Sequence, residues 1–183
     1  MTVTVPGSLP PGMAELHTAV AQVHAATTIL RRSIARSSTT GHTRIPSATN
    51  RPTAFTAIPF GLEDLQIVYE DFIKQTIESK CGLDCIRGDD MFGSNVIMED
   101  IQDAISTSQI IIADLTGANA NVFYEIGMAH AMEKPVLLLT QSTEYVPFDL
   151  RHRRLLIYNY SPHGCKLLET HLEQHVRAMV DLS

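Results

Sequence analysis

The chain has 183 residues and a formal net charge of −6, long enough for one domain plus an extension and for a core that needs no covalent staples. No apolar run approaches the ~20 residues of a membrane span, and no charged-then-apolar leader opens the chain, so a cytoplasmic protein without membrane contact is expected. Cys81, Cys85 and Cys165 leave one thiol unpaired in any scheme, and no His cluster completes a metal site, so no metal is expected and the thiols read as reduced and mostly buried.

The charge is unevenly spread. Residues 1–53 carry five Arg against Glu15 alone, a net of +4, while the remainder carries nine basic against nineteen acidic residues, a net of −10. An acidic body lacks the basic footprint of a nucleic-acid binder, and a chain without Trp and with few aromatics lacks a stacking platform. No nucleic-acid partner is expected.

Residues 1–12 hold Pro6, Pro10 and Pro11 and predict irregular backbone. Met13, Leu16, Val20, Val23, Ala26, Leu30 and Ile34 then recur at steps of about three and four, which predicts an amphipathic helix over about 13–36. Three roles are open to it. It packs on its own domain or frays in solvent, it pairs with a second chain or a partner, or it serves as an Arg- and Ser-rich transit segment. Residues 37–53 are polar and punctuated by Pro and predict a flexible linker. The chain therefore divides into an extension over 1–53 and an α/β domain over 54–183.

In the domain, 54–60 predicts a first strand, and 63–79 a helix with Leu65, Val68, Phe72, Ile73 and Ile77 inward. A second strand over 83–86 closes on Arg87, Gly88, Asp89 and Asp90. A helix over 95–106 turns Val96, Ile97, Ile101 and Ile105 inward, and 109–115 predicts a third strand. Asn121 then reads as a helix start, with the helix over 122–132 stopped at Lys134-Pro135. A fourth strand over 136–140 is apolar enough for burial on both faces, a fifth runs over 155–158, and a closing helix over 166–179 presents Leu167, Leu168, Leu172, Val176 and Met179. Strands alternating with helices imply an α/β fold with a doubly wound parallel sheet of five strands, flavodoxin-like, in the order 2-1-3-4-5. Its switch point lies between the first and third strands, which sets Phe60 and Gly61 opposite the loop from Asp114 to Asn121.

That loop is rich in turn formers. Gly117 permits positive φ and Asn119 and Asn121 tolerate it. Exposed amides and Asn side chains suit a phosphate or a ribose, whereas the plainer reading is a turn followed by an N-cap. Glu125 is the more specific signal. It lies just past a buried strand, in the first turn or so of an apolar helix whose positive end favours an ionised acid, and it shares a face with Asn121. Arg87 and Asp89 end the second strand and are placed to line the crevice. Arg151, His152, Arg153 and Arg154 read as a phosphate contact or as a solvated basic turn. His130, between two alanines, reads as a core histidine.

The run from Asp114 to Leu139, Asp-Leu-Thr-Gly-Ala-Asn-Ala-Asn-Val-Phe-Tyr-Glu-Ile-Gly-Met-Ala and onward, resembles the nucleoside 2-deoxyribosyltransferase-like superfamily, including its TIR-like bacterial branch. Ala57-Ile-Pro-Phe60 and Val146-Pro-Phe-Asp-Leu-Arg151 fit the same pattern, and the resemblance covers about residues 54–180. It implies N-glycosidic chemistry at a ribosyl carbon, with Glu125 as the nucleophile or the stabiliser of an oxocarbenium-like carbon. It implies a small-molecule nucleoside or nucleotide as ligand, and the residues placed by their position around the crevice to hold it are Asp114, Gly117, Asn119, Asn121, Phe60, Gly61, Arg87 and Asp89. It also implies a homo-oligomer and no cofactor, NAD being a substrate if it is used. The transferases place an acid several residues before the Glu, where Asn119 stands here; Asn cannot donate a titrating proton. That departure favours hydrolysis of a nucleotide with a good leaving group such as nicotinamide. The alternative is a TIR-like module that senses or binds a nucleotide, or oligomerises, without turnover.

Overall fold

A computed structural model describes residues 51–88 and 98–180. The predicted helix over 13–36, most of the linker, Asp89, Asp90, Val96 and Ile97 lie outside the described residues. Five strands, β1 (Thr53–Ala57), β2 (Asp84–Arg87), β3 (Ile110–Asp114), β4 (Val136–Thr140) and β5 (Leu155–Ile157), form one parallel sheet in the order β2-β1-β3-β4-β5. This is the 2-1-3-4-5 order expected from the alternation of strands and helices.

Side chains alternate across each strand, so one sheet feeds two cores. Ala54, Ile110, Ile112, Leu137, Leu139 and Leu156 face a layer made by α1 (63–80) and α4 (Pro162–Met179). Phe55, Ala57, Ile111, Ala113, Val136 and Leu138 face a layer made by α2 (Met98–Thr107) and α3 (Ala120–Ala131). Every residue of β3 and β4 is buried, which is why those runs are apolar without alternation. Burial of each such Ile or Leu contributes about 1.5–3 kcal/mol. All three cysteines are free and buried.

Several boundaries differ from the sequence expectation. β1 ends at Ala57 rather than at 60, since Pro59 has no amide to continue the ladder. α1 is not a uniform α-helix: it opens as one over Glu63–Ile67 and continues as π-helix over Val68–Lys74 and Thr76–Lys80. The Cys81 amide closes on the Thr76 carbonyl, five residues back, at 3.1 Å. Turns closed over five residues shift the inward stripe. Tyr69 and Thr76 join Leu65, Val68, Ile73 and Ile77 in the core, and Phe72 is only half-buried. α4 starts four residues earlier than its apolar periodicity suggests, because Ser161 caps it by accepting from the Gly164 amide at 3.0 Å and Pro162 supplies the first turn. Its Leu167 points away from the core and is exposed, contrary to expectation. The β4–β5 crossover carries two short 3-10 turns, Thr143–Tyr145 and Phe148–Leu150, in place of a helix. Among the described residues, no helix is long and apolar enough to cross a membrane.

Candidate functional site

β1 is flanked by β2 and β3, and the chain leaves β1 and β3 toward opposite faces of the sheet. The carboxyl ends of these two strands are therefore the switch point between diverging connections, the place where open α/β sheets hold ligands. On one side the chain turns at Phe60 and Gly61. On the other, the Ala118 amide donates to the Leu115 carbonyl at 2.9 Å, closing a turn whose third residue, Gly117, has φ +78. Ala118 also lies in the left-handed region, at φ +52, which a residue with a Cβ adopts only when its surroundings hold it there. A Cβ on Gly117 would stand 3.4 Å from Leu62 Cδ1, so the two loops touch across the switch point.

Glu125 lies on α3 and is 9% exposed. Only a Gly at 88 separates its carboxylate from the end of β2: a Cβ there would sit 3.7 Å from Glu125 Oε1 and 4.0 Å from Phe55. The acid is thus turned toward Gly88 at the end of β2, over Phe55, and not toward bulk water. One part of the expectation is corrected. α3 begins at Ala120 and its N-cap is Asn119, whose Oδ1 accepts from the amides of Asn121 at 2.9 Å and Val122 at 3.4 Å. Asn121 is therefore inside the helix, and Glu125 falls in the second turn, past the reach of the helix-terminal charge. Asn121 is exposed, whereas Glu125, four residues on, is covered.

Arg87 closes β2 beside Gly88. Its guanidinium is buried, donates to Gln66 Oε1 at 2.8 Å, and lies over the Tyr69 ring at 4.5 Å and the Phe60 ring at 5.5 Å from the centroids. Such cation–π contacts contribute about 0.5–2 kcal/mol each. Phe60 keeps 46% of its surface open, so one side of the ring is backed by a cation and another is free. The structure brings Phe60, Gly61, Arg87 and Glu125 to one end of the sheet. Gln66 and Tyr69, which hold Arg87, were not singled out in the sequence; the signal was polar residues on an otherwise apolar helix stripe. Next to them, burial pushes the Cys85 thiol up to about 12, so it keeps its proton.

Asp114, at the end of β3, has no exposed surface. Its Oδ1 accepts from the Thr116 amide at 2.9 Å and its Oδ2 from the Tyr158 hydroxyl at 2.6 Å. Gln141 extends the network: its side chain donates to Tyr158 Oη at 3.3 Å, and its amide to Thr116 Oγ1 at 3.0 Å. The ends of β3, β4 and β5 are stitched together through this one acid. Desolvation pushes the Asp114 carboxyl above its usual range, against the opposing effect of its hydrogen bonds. Burial, and then the Asp114 charge, push Tyr158 up as well, so the phenol stays protonated and donates.

The shift at Asp114 sets a pH dependence. Between the ordinary Asp range and its raised folded value, the folded state binds more protons than the unfolded one, so its contribution to stability is lost as pH rises through that interval. Urea midpoints between pH 4 and pH 8 are expected to fall for wild type relative to Asp114→Asn as pH rises. A constant difference between the two proteins would refute this assignment.

The remaining expected residues stand apart. Asp89 lies outside the described residues. Arg151, His152, Arg153 and Arg154 are exposed in the β4–β5 crossover. Among the described residues, no three His, Cys, Asp or Glu side chains gather as a metal site needs.

Two solved structures similar to this chain are a 2-desoxiribosyltransferase from Leishmania mexicana and the Vibrio vulnificus NanR protein complexed with ManNAc-6P. The first is 22% identical with a TM-score of 0.44, over 50% of this chain and 66% of that one. The second is 16% identical with a TM-score of 0.44, over 92% of this chain and 63% of that one. This chain spans less than two thirds of the length of either. No protein-family model and no curated protein matches the chain.

Proposed function

We propose that this chain cleaves the N-glycosidic bond of a nucleoside or nucleotide, with Glu125 acting at the ribosyl C1′. The observation that carries the proposal is the position of that carboxylate, covered by the protein and turned toward Gly88 at the end of β2. Attack by a Glu125 oxygen on C1′ forms the glycosyl ester while the C1′–N bond breaks and its electron pair departs with the base. Water then hydrolyses the ester. Phe60 offers an open ring face to a base. Asp114 acts through Tyr158 and Thr116, holding the loop in place. Asn119 is engaged as a cap and carries no titrating proton for a departing base. A leaving group that departs neutral without a proton, as nicotinamide does from NAD, suits such a site best.

The test is a screen of NAD, nucleotides and deoxynucleosides for released base by chromatography. Release of nicotinamide, or of a nucleobase, supports the proposal. Intact substrates at high protein concentration would sink it and leave a binding module in its place. The site also sets a steric expectation. Gly88→Val adds methyl groups against Glu125 and is expected to slow base release at least ~10-fold through displaced substrate, with the slowed rate read in the same chromatographic assay.

A further inference from the structure

On the outer side of α1, Ile67 is 38% exposed, and its neighbours three and four residues away in both directions are Glu63, Asp64, Glu70 and Asp71, all exposed. Glu70 accepts from Gln66, and among the described residues none of the four carboxylates forms an ion pair. Four like charges around an exposed apolar side chain repel one another, and although Glu63 and Asp64 in the first turn and Glu70 beside Gln66 are partly offset by the helix itself, no cation of the described residues balances them. Tyr160, 41% exposed just before α4, extends the patch. The helix it precedes, α4, packs against α1, and the Tyr160 phenol is pushed up, first by desolvation and then by Asp64, Cys165, Glu63 and Asp71.

The complement of this patch is in the chain itself. Residues 1–50 carry Arg31, Arg32, Arg36 and Arg44 against Glu15 alone. Leu30 and Ile34 are four apart, with Arg31, Arg32 and Arg36 around them, an apolar pair bordered by cations. The tether fits too. Arg51 is fastened to the far end of α1, donating to the Gly82 carbonyl at 3.1 Å and the Glu78 carbonyl at 2.5 Å, beside Asp84. From there to Ile67 along α1 is at most about 20 Å at the rise of an α-helix. A flexible chain of 14 residues, the number from 37 to 50, would span about 20 Å end to end. A tether whose length matches its span gives the highest effective concentration.

We propose that the segment from Leu30 to Arg36 docks on the Ile67–Tyr160 face of its own chain, its arginines on the Glu63, Asp64, Glu70 and Asp71 carboxylates. Trypsin tests this in the full chain, with cleavage after Arg44 as the internal reference. Cleavage after Arg31, Arg32 and Arg36 is expected at least ~10-fold slower than after Arg44, and this protection should vanish in 0.5 M salt and in Asp64→Lys/Asp71→Lys. Hydrogen exchange of the 63–73 peptide in unaltered protein, at low and high salt, reads the same contact without a substitution. Equal cleavage at all four sites, or protection that survives both salt and the double variant, would overturn the proposal. Protection that disappears on dilution would overturn it in favour of a second copy as the occupant.

Discussion

Glu125→Gln is expected to slow base release by about 10³-fold or more, about 4 kcal/mol of transition-state stabilisation, while the ligand still binds. Gln keeps the size of the side chain and its seat beside Gly88, so the fold is retained. It lacks the carboxylate oxygen that the proposed attack on C1′ requires. Calorimetric binding alongside chromatographic turnover separates the two effects. Turnover unchanged in the variant would remove Glu125 from the chemistry, whatever the wild type cleaves.

Asp114→Ala is expected to cost about 3 kcal/mol and to lower the melting temperature by about 10 °C. The substitution removes the acceptor of the Thr116 amide and of the buried Tyr158 hydroxyl, and it leaves a void at the end of β3. Each buried donor left without an acceptor costs about 1–3 kcal/mol, and the void adds to that. Tyr158→Phe removes one of the same bonds and is expected to cost less. Because the two residues are in direct contact, the double variant should fall short of the sum by about 1 kcal/mol or more. Thermal melts of the two single variants and the double variant decide this, and strict additivity would show that the 2.6 Å hydrogen bond carries no coupling.

The strand order was legible in the chain because the strands are short, because β3 and β4 are apolar throughout and amphipathic stretches separate the first four, and because right-handed crossovers leave few ways to arrange such units. The inward turn of Glu125 was legible from its company: Val122, Phe123, Ile126, Met128 and Ala129 are all buried around it. What could not be read lay in choices between near-equals and in distant partners. Asn119 and Asn121 are both good caps, and only the backbone, extended at Asn119, decides that the first takes the role. The π-turns of α1 leave no periodicity signal distinct from an α-helix over so short a stretch. Tyr158 is 44 residues from Asp114, a contact that exists only after β4 and β5 have been laid beside β3. The start of α4 was within reach, since Ser161-Pro162 is a recognisable cap, but apolar spacing alone passes over it.

β5 is three residues long and joined to the sheet along one edge only. The side chain that neutralises the isolation of the most deeply enclosed acid hangs from the residue just after it. The heart of the domain is therefore guarded from its thinnest border: fraying that detaches Leu155–Ile157 would withdraw Tyr158, admit water to Asp114, and release the loop that leads into the helix of Glu125. A short strand paired along one edge is where local opening costs least, so this rim is the place to look for loosening below the global transition.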